Sequence, residues 1–328
     1  MKKFYMVMAL SCAWVAGMAC TNFVVGKKAS VDGSTMVSYA ADSYSFYGYL
    51  HHSPAADHAP GTMREVKDWD TGKPLCSIPQ VAHTYNVVGN MNEHQLTIGE
   101  TTWGGRPELE TGEGIDYGSL IYIALERCKT AREAIKCMTD LVAKYGYASS
   151  GETFSIADPN EVWLMELIGK GPGQKGAVWV ATRIPDDCIA AHANQARFTT
   201  INFKDKENWM WSKDVVKFAR EKGYFSGKDK DFNFQEAYAP YDFSGLYACE
   251  ARVWSFFRKF SDDMDKYFDF ASGKTFVETG GKCAGERMPL YIKPNHKVSA
   301  QELKDCMRDQ YEGTPLDITQ GPDAGPWH

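Results

Sequence analysis

The sequence lacks the patterns that mark several large classes of protein. Its formal net charge is −6 over 328 residues, and no run of lysine or arginine stands out, so nucleic acid is not an expected partner. No stretch beyond the N-terminus approaches the ~20 consecutive apolar residues that a spanning helix needs. No Cys-x-x-Cys pair or Cys/His spacing fits a zinc site, and residues 169–173 lack the Gly-Lys-Ser/Thr of a phosphate-binding loop. The sequence therefore predicts no membrane span, no metal ion and no cofactor.

The composition is that of a globular protein with a real core. Hydrophobic residues make up 44% of the chain and charged residues 24%. The length allows one large domain or two of moderate size. No internal repeat interrupts the chain, and we expect residues 20–328 to form a single domain.

The N-terminus has the pattern of a bacterial secretory signal peptide. Lys2 and Lys3 precede an apolar run over residues 4–18, and the small residues Gly17 and Ala19 stand three and one before Cys20. We therefore expect residues 1–19 to be removed and the protein to be secreted or periplasmic. Eight cysteines remain after this cleavage, and the sequence alone does not pair them.

Hydrophobic periodicity predicts strand hairpins alternating with helices. Residues 43–82 carry no clear period and are predicted to be irregular. The order of the other elements predicts the α+β class, with two sheets and helices layered outside them. In chain order the predicted elements are hairpins over 20–42 and 82–103, helices over 117–128 and 130–146, strands over 154–193, and helices over 212–222, 251–260 and from 299.

Cys20 becomes the first residue if the leader is removed, and three interpretations compete for it. It is a lipidation site, an N-terminal nucleophile or an ordinary buried residue. An α-amine has a pKa of roughly 7.7–8 and a cysteine thiol one of about 8.5, so the amine can take the thiol proton near neutral pH. The thiolate is the reactive form. From the residues alone, the interpretation of Cys20 as a nucleophile and its interpretation as a lipidation site are about equally favoured.

Eight short motifs resemble the secreted cysteine dipeptidases, a branch of the N-terminal nucleophile (Ntn) hydrolases related to choloylglycine hydrolases and penicillin V acylases. They are spread over nearly all of the chain after the leader, and together they favour the nucleophile over lipidation. The motifs are CTNFVVGKKAS (20–30), DGST (32–35), IPQV (78–81), YNVVGNMNEH (85–94), GETT (99–102), IDYGSL (115–120), HANQAR (192–197) and EARVW (250–254).

The resemblance implies a fold and a set of site residues. The fold is a four-layer αββα sandwich of two antiparallel sheets. Cys20 matches the nucleophile, and Asp42 matches the acid that holds the catalytic amine and thiol. Asn194 matches the asparagine of the oxyanion hole, and Arg252 resembles the active-site arginine of the choloylglycine branch. Tyr39 departs from the pattern, because related enzymes usually carry an arginine there.

The activity implied by the resemblance is hydrolysis of dipeptides, so short peptides are the expected substrates. Related enzymes usually continue beyond the end of this chain, so the resemblance implies either a chain truncated at the C-terminus or an unusually short member of the family. A homo-oligomer is compatible with the sequence. Two alternatives stay open: an acyl-amide hydrolase of the bile-salt or penicillin V type, and a non-enzymatic outer-membrane lipoprotein lipidated at Cys20. The strand pattern around His192 favours a sheet histidine over a Cys–His dyad.

Overall fold

The computed structural model describes residues 19–42, 48–281 and 286–320. The predicted signal peptide lies outside these residues except for Ala19, and so does Cys283. The other seven cysteines that follow the leader are free thiols.

The strands are short near the N-terminal third and longer in the middle of the chain. They are β1 (Ala19–Val25), β2 (Met36–Asp42), β3 (His52–Ser53), β4 (Ala56–Asp57), β5 (Met63–Lys67), β6 (Pro74–Pro79), β7 (His83–Thr84), β8 (Val87–Val88), β9 (Met91–Asn92), β10 (Thr97–Gly104), β11 (Gly151–Ala157), β12 (Val162–Gly169), β13 (Ala177–Ile184), β14 (Ile189–His192), β15 (Trp209–Trp211) and β16 (Tyr291–Ile292).

The helices cluster in two parts of the chain. They are α1 (Tyr117–Arg127), α2 (Ala131–Tyr145), α3 (Val215–Glu221), α4 (Phe234–Tyr238), α5 (Ala251–Arg258), α6 (Phe268–Ala271), α7 (Lys274–Glu278) and α8 (Ala300–Cys306), with a π-helical turn, Gly245–Glu250, leading into α5.

A four-stranded antiparallel sheet, the small sheet, carries the N-terminal motif. Its strand order is β16-β14-β1-β2, so β1 is an inner strand. The apolar and β-branched residues of β1 fit this position, since Val24 and Val25 are completely buried. The register places Cys20 opposite Ala41 of β2 and Asn22 opposite His192 of β14.

An eight-stranded antiparallel sheet, the large sheet, has the order β15-β13-β12-β11-β10-β9-β8-β3. Every residue of β11 and β12 is buried. Burial along a whole strand requires cover on both faces of the sheet, because successive side chains point to opposite faces.

Three apolar clusters pack against the faces of the two sheets. Between the sheets, Val24 of β1 packs with Leu164 and Val180 of the large sheet. On the other face of the large sheet, α1 and α2 pack against residues such as Phe154. The outer face of the small sheet is covered by α5, where Phe256 stacks on Phe23 of β1 with ring centroids 4.1 Å apart.

The predicted α+β class is confirmed, whereas the prediction of an irregular segment over 43–82 is wrong in part. Strands β5 and β6 form a hairpin within it. Only Val66 and Ile78 of this hairpin are buried, so no apolar alternation marks it in the sequence. Its tight turn begins at Asp68, whose carboxylate accepts from the Thr71 N–H at 2.8 Å. No helix in the described part of the chain is long and apolar enough to cross a bilayer.

Candidate active site

Cys20 lies near the start of β1 with its side chain fully buried. Its sulfur accepts a hydrogen bond from the backbone N–H of Thr102, on the facing strand β10 of the large sheet. Its own backbone nitrogen donates to Asn194 Oδ1 at 2.8 Å. The sulfur and the nitrogen of Cys20 are thus held by residues from different parts of the chain.

Asn194 follows β14 directly and lies between the nucleophile candidate and β10. Its Nδ2 donates to the Thr102 carbonyl at 2.6 Å, while its Oδ1 accepts from Cys20. A donor on one side and an acceptor on the other fix the orientation of the amide. The second N–H of Nδ2 lies beside the Cys20 sulfur.

Arg252 comes from α5, more than two hundred residues along the chain from Cys20. Its Nη1 donates to the Cys20 carbonyl at 2.6 Å and to Thr21 Oγ1 at 2.8 Å. Its Nη2 donates to Asn194 Oδ1 at 2.9 Å. The planar guanidinium therefore joins two of the predicted site residues in one rigid contact.

Asp42 ends β2 opposite Ala19. Because alternate residues of a strand face opposite sides, its side chain lies on the face of Thr21 and Ala40, whereas Cys20 faces the other way. There Asp42 lines a pocket of about 250 Å³ together with Arg252. Only its backbone N–H reaches the Cys20 sulfur. The structure thus brings Cys20, Asn194 and Arg252 together, and the role of the Asp42 carboxylate stays a prediction.

The environment of the thiol opposes its ionisation. Burial, and next the negative charge of Glu100, raise the pKa of Cys20 to about 12, although hydrogen bonds from Thr102, Asn194 and Asp42 pull it down. A thiolate at this position needs a positive charge or a base beside it.

Two buried carboxyl groups that sequence reasoning missed lie next to the thiol. Glu100 of β10 and Glu152 of β11 have side chains that contact each other, and burial raises the pKa of both. Tyr39 donates its hydroxyl to Glu100 Oε1 at 2.7 Å, and Thr102 donates its own to Glu152 Oε1 at 2.7 Å. This carboxyl pair and Tyr39 form one hydrogen-bonded group beside Cys20.

Gly99 allows Tyr39 to reach this pair. A side chain at Gly99 would begin 2.7 Å from the Asn22 amide, closer than real Cβ atoms approach their neighbours, and 3.1 Å from the Tyr39 Cβ, which is tighter than most such contacts. The available signal was a glutamate inside each of two apolar strand patterns, since buried carboxyl groups are rare without a partner. Within the described residues, no group of three or more His, Cys, Asp or Glu side chains is arranged to hold a metal ion.

His192 packs between the sheets and contacts hydroxyl groups. Its Nδ1 lies 2.7 Å from Thr101 Oγ1 and its Nε2 lies 2.6 Å from Ser155 Oγ. These contacts agree with the interpretation of a satisfied sheet histidine.

Comparison with known proteins adds a family to this geometry. The model described as peptidase family C69 matches residues 19–57 and 50–326. A probable dipeptidase of Latilactobacillus sakei is 27% identical over 318 residues, which cover 91% of this chain and 62% of that protein. A probable dipeptidase of Salmonella dublin is 27% identical over 92% of this chain and 68% of its own length. Dipeptidase A of Lactobacillus helveticus is 26% identical over 91% of this chain and 62% of its own length.

The chain therefore spans about 62% of the length of the Latilactobacillus and Lactobacillus relatives that it matches. The family match extends from the strand that carries Cys20 to beyond α8 and includes Asn194 and Arg252. By this match, the chain belongs to peptidase family C69.

Proposed function

We propose that this chain is a secreted or periplasmic cysteine dipeptidase that uses Cys20 as its N-terminal nucleophile. Three relatives that align over more than nine-tenths of the chain carry the name dipeptidase or probable dipeptidase. The leader pattern before Cys20 supports removal of residues 1–19, which frees the Cys20 α-amine.

The observation that carries the proposal is the contact between the Cys20 nitrogen and Asn194 Oδ1 at 2.8 Å. After cleavage this nitrogen is an amine, and a carboxamide oxygen that accepts one of its protons leaves the lone pair free to act as a base. The amine then lies on the same residue as the thiol. It supplies the positive charge that the buried thiol needs when it loses its proton.

In the proposed mechanism, the Cys20 amine takes the thiol proton and sulfur attacks the scissile carbonyl to form a thioester. The second N–H of Asn194 and the backbone N–H of Thr102 stabilise the oxyanion, since both lie beside the sulfur. The ammonium gives its proton to the leaving amine. It then activates the water that hydrolyses the thioester.

The arrangement of layers supports an Ntn-hydrolase fold. Helices α1 and α2, the large sheet, the small sheet and α5 follow one another in space, as a four-layer αββα sandwich requires. After the proposed cleavage the inner strand β1 would begin at Cys20, as such an enzyme needs, because only a chain terminus presents an α-amine. We propose that residues 20–328 belong to this one catalytic domain.

The test compares processed protein with two Cys20 variants on a panel of dipeptides, a glycine-conjugated bile acid and penicillin V. Cys20→Ala should lower kcat/KM for dipeptides by about 1,000-fold or more, and Cys20→Ser should keep a trace of activity. Cys188→Ala removes another buried thiol close to the end of β1 and should leave the activity unchanged. Protein that retains residues 1–19 should be inactive, because a peptide nitrogen is not a base.

Intact mass of the mature protein provides the independent check. A free cysteine at its N-terminus supports the hydrolase, whereas added acyl mass there supports the lipoprotein. Full activity in Cys20→Ala would refute the proposal. Cys20-dependent cleavage of the bile acid or penicillin V, without cleavage of any dipeptide, would favour the acyl-amide hydrolase.

A further inference from the structure

The carboxyl pair of Glu100 and Glu152 has unused hydrogen-bonding capacity. Their side chains are 1% and 0% exposed. One oxygen of each accepts a hydroxyl proton, from Tyr39 and Thr102 respectively. The other oxygen of each, Oε2, receives no N–H or O–H donor from the described residues. In the absence of a cation, the two carboxyl groups can only share a proton with each other. A shared proton compensates their negative charge less well than a bound cation would in a buried site.

Among the described side chains, no lysine or arginine is one of the main influences on the pKa of either carboxyl group. The strongest influences on both carboxyl groups are burial, the hydroxyls of Tyr39 and Thr102, and other acids, including Asp70. Asp70 itself interacts mainly with the Tyr117 hydroxyl, at 2.9 Å, and with further aspartates. Tyr39 offers a hydroxyl at the position where the sequence pattern of related enzymes has an arginine.

The pair is also close to the reacting atom. Glu100 raises the pKa of the Cys20 thiol, and Cys20 in turn raises that of Glu152. Tyr39 and Cys20 face the same side of the small sheet, because they lie two residues apart across β1 and β2. A group bound at the pair therefore lies on the same side of the small sheet as the sulfur.

The rim of this group is reachable from outside. Four of its side chains are partly exposed, namely Tyr39, Asp70, Thr102 and Tyr117, whereas Glu100 and Glu152 are buried. Tyr117 interacts electrostatically with both glutamates and with Asp70, so these side chains lie close to one another.

We propose that Glu100, Glu152 and Tyr39 form the subsite that binds the ammonium group of the substrate, so that the enzyme selects peptides with an unblocked amine. The proposal rests on the proposed function and adds the residues that set its specificity. A primary ammonium has three N–H donors. Two of them can satisfy the unpaired Oε2 atoms of the glutamates, and its charge replaces the shared proton.

The test measures kcat and KM of the processed protein with three probes. Alanyl-alanine has an α-ammonium, N-acetyl-alanyl-alanine has none, and N-acetyl-lysyl-alanine has only a side-chain ammonium. The wild type should favour alanyl-alanine over its acetylated form by about 100-fold or more in kcat/KM. Glu152→Gln should reduce this ratio by about 10-fold or more, mostly through KM.

Two further variants sharpen the comparison. Glu126→Gln removes a buried carboxylate that pairs with Arg64 at the other end of α1, so it should leave the ratio unchanged. Tyr39→Arg places a permanent cation beside Glu100 and should weaken binding of alanyl-alanine more than that of its acetylated form. Calorimetry with Cys20→Ala protein measures the same binding ratios without catalysis, so that a loss of turnover does not hide the result.

The outcomes separate this proposal from the proposed function. If hydrolysis depends on Cys20 and Glu152→Gln lowers all rates equally, the pair serves the nucleophile's own amine, and the subsite proposal is refuted while the function stands. If no peptide is hydrolysed, the proposed function fails, and calorimetry alone decides the subsite. A Glu152-dependent preference for N-acetyl-lysyl-alanine over alanyl-alanine would support the subsite with the side-chain ammonium as its ligand. Equal binding of all three probes would refute it.

Discussion

Single side chains decide how the atoms of the proposed active site are held. Arg252 makes three of these contacts at once, to the Cys20 carbonyl, Thr21 Oγ1 and Asn194 Oδ1. A lysine has a single point charge at the end of a flexible chain and cannot reproduce this fork. The arginine therefore holds Cys20, the proposed nucleophile, and Asn194, the proposed oxyanion donor, in place relative to each other.

Arg252→Lys should lower kcat by about 100-fold, because Asn194 loses its support and small displacements of catalytic groups are costly. Steady-state kinetics with the best dipeptide, together with a thermal melt, checks this. Arg308→Lys, at a site where the arginine makes only an exposed ion pair with Asp305, should change neither value. An unchanged kcat in Arg252→Lys would mean that the arginine has no positioning role.

Single elements of the fold depend on contacts made by their neighbours. Asp158 lies in the turn between β11 and β12, where its Oδ1 accepts from the N–H groups of Asn160 and Glu161. Its Oδ2 accepts from the N–H of Ala131, the first residue of α2, at 2.9 Å. The hairpin turn thus helps to cap the helix that packs on its own sheet.

Asp158→Ala should lower the free energy of unfolding by about 1–3 kcal/mol, because it leaves the buried N–H of Ala131 without an acceptor and removes two bonds in the turn. Urea unfolding, followed by tryptophan fluorescence, measures the change. The matched control is Asp140→Ala, which removes only an exposed ion pair with Lys136 and should stay within about 0.5 kcal/mol of the wild type. Equal effects of the two substitutions would contradict the capping role.

The stability of the whole molecule depends in part on a polar contact between the small sheet and the large sheet. Thr101 of the large sheet donates to the Ala193 carbonyl at 2.7 Å, so its oxygen accepts from His192 Nδ1, and Ser155 donates to Nε2. This network needs a neutral imidazole. Burial lowers the pKa of His192 to about 3, with a smaller effect of Arg197.

Stability should therefore fall as the pH is lowered. In the unfolded chain His192 has a pKa of about 6.5, whereas in the folded protein it stays neutral down to about pH 3. Its contribution to the free energy of unfolding is therefore fully present above pH 6.5 and is lost as the pH falls below that value. Between pH 7 and pH 5 the loss is about 2 kcal/mol. His192→Gln keeps a donor and an acceptor without titrating, so urea unfolding should show a shallower slope for it over this range. Equal pH slopes for the wild type and His192→Gln would show that His192 does not cause the loss of stability.

The sequence by itself determined the α+β class, the main hairpins and helices, and Cys20, Asn194 and Arg252 as candidates. Apolar period, turn residues and short motifs are local along the chain, so they can be detected without coordinates. The β5–β6 hairpin was not predicted, because an exposed hairpin buries too few side chains to produce an alternating apolar pattern in the sequence.

Only the tertiary structure decided which side chains meet. Register sets the face on which a strand residue points, so it separated the Asp42 carboxylate from Cys20, although both had been predicted for one site. The pairing of β10 with β11 brought Glu100 to Glu152 across fifty residues, and Gly99 let Tyr39 reach them. Such contacts depend on the pairing of distant strands and on burial, and neither leaves a pattern within a short stretch of sequence.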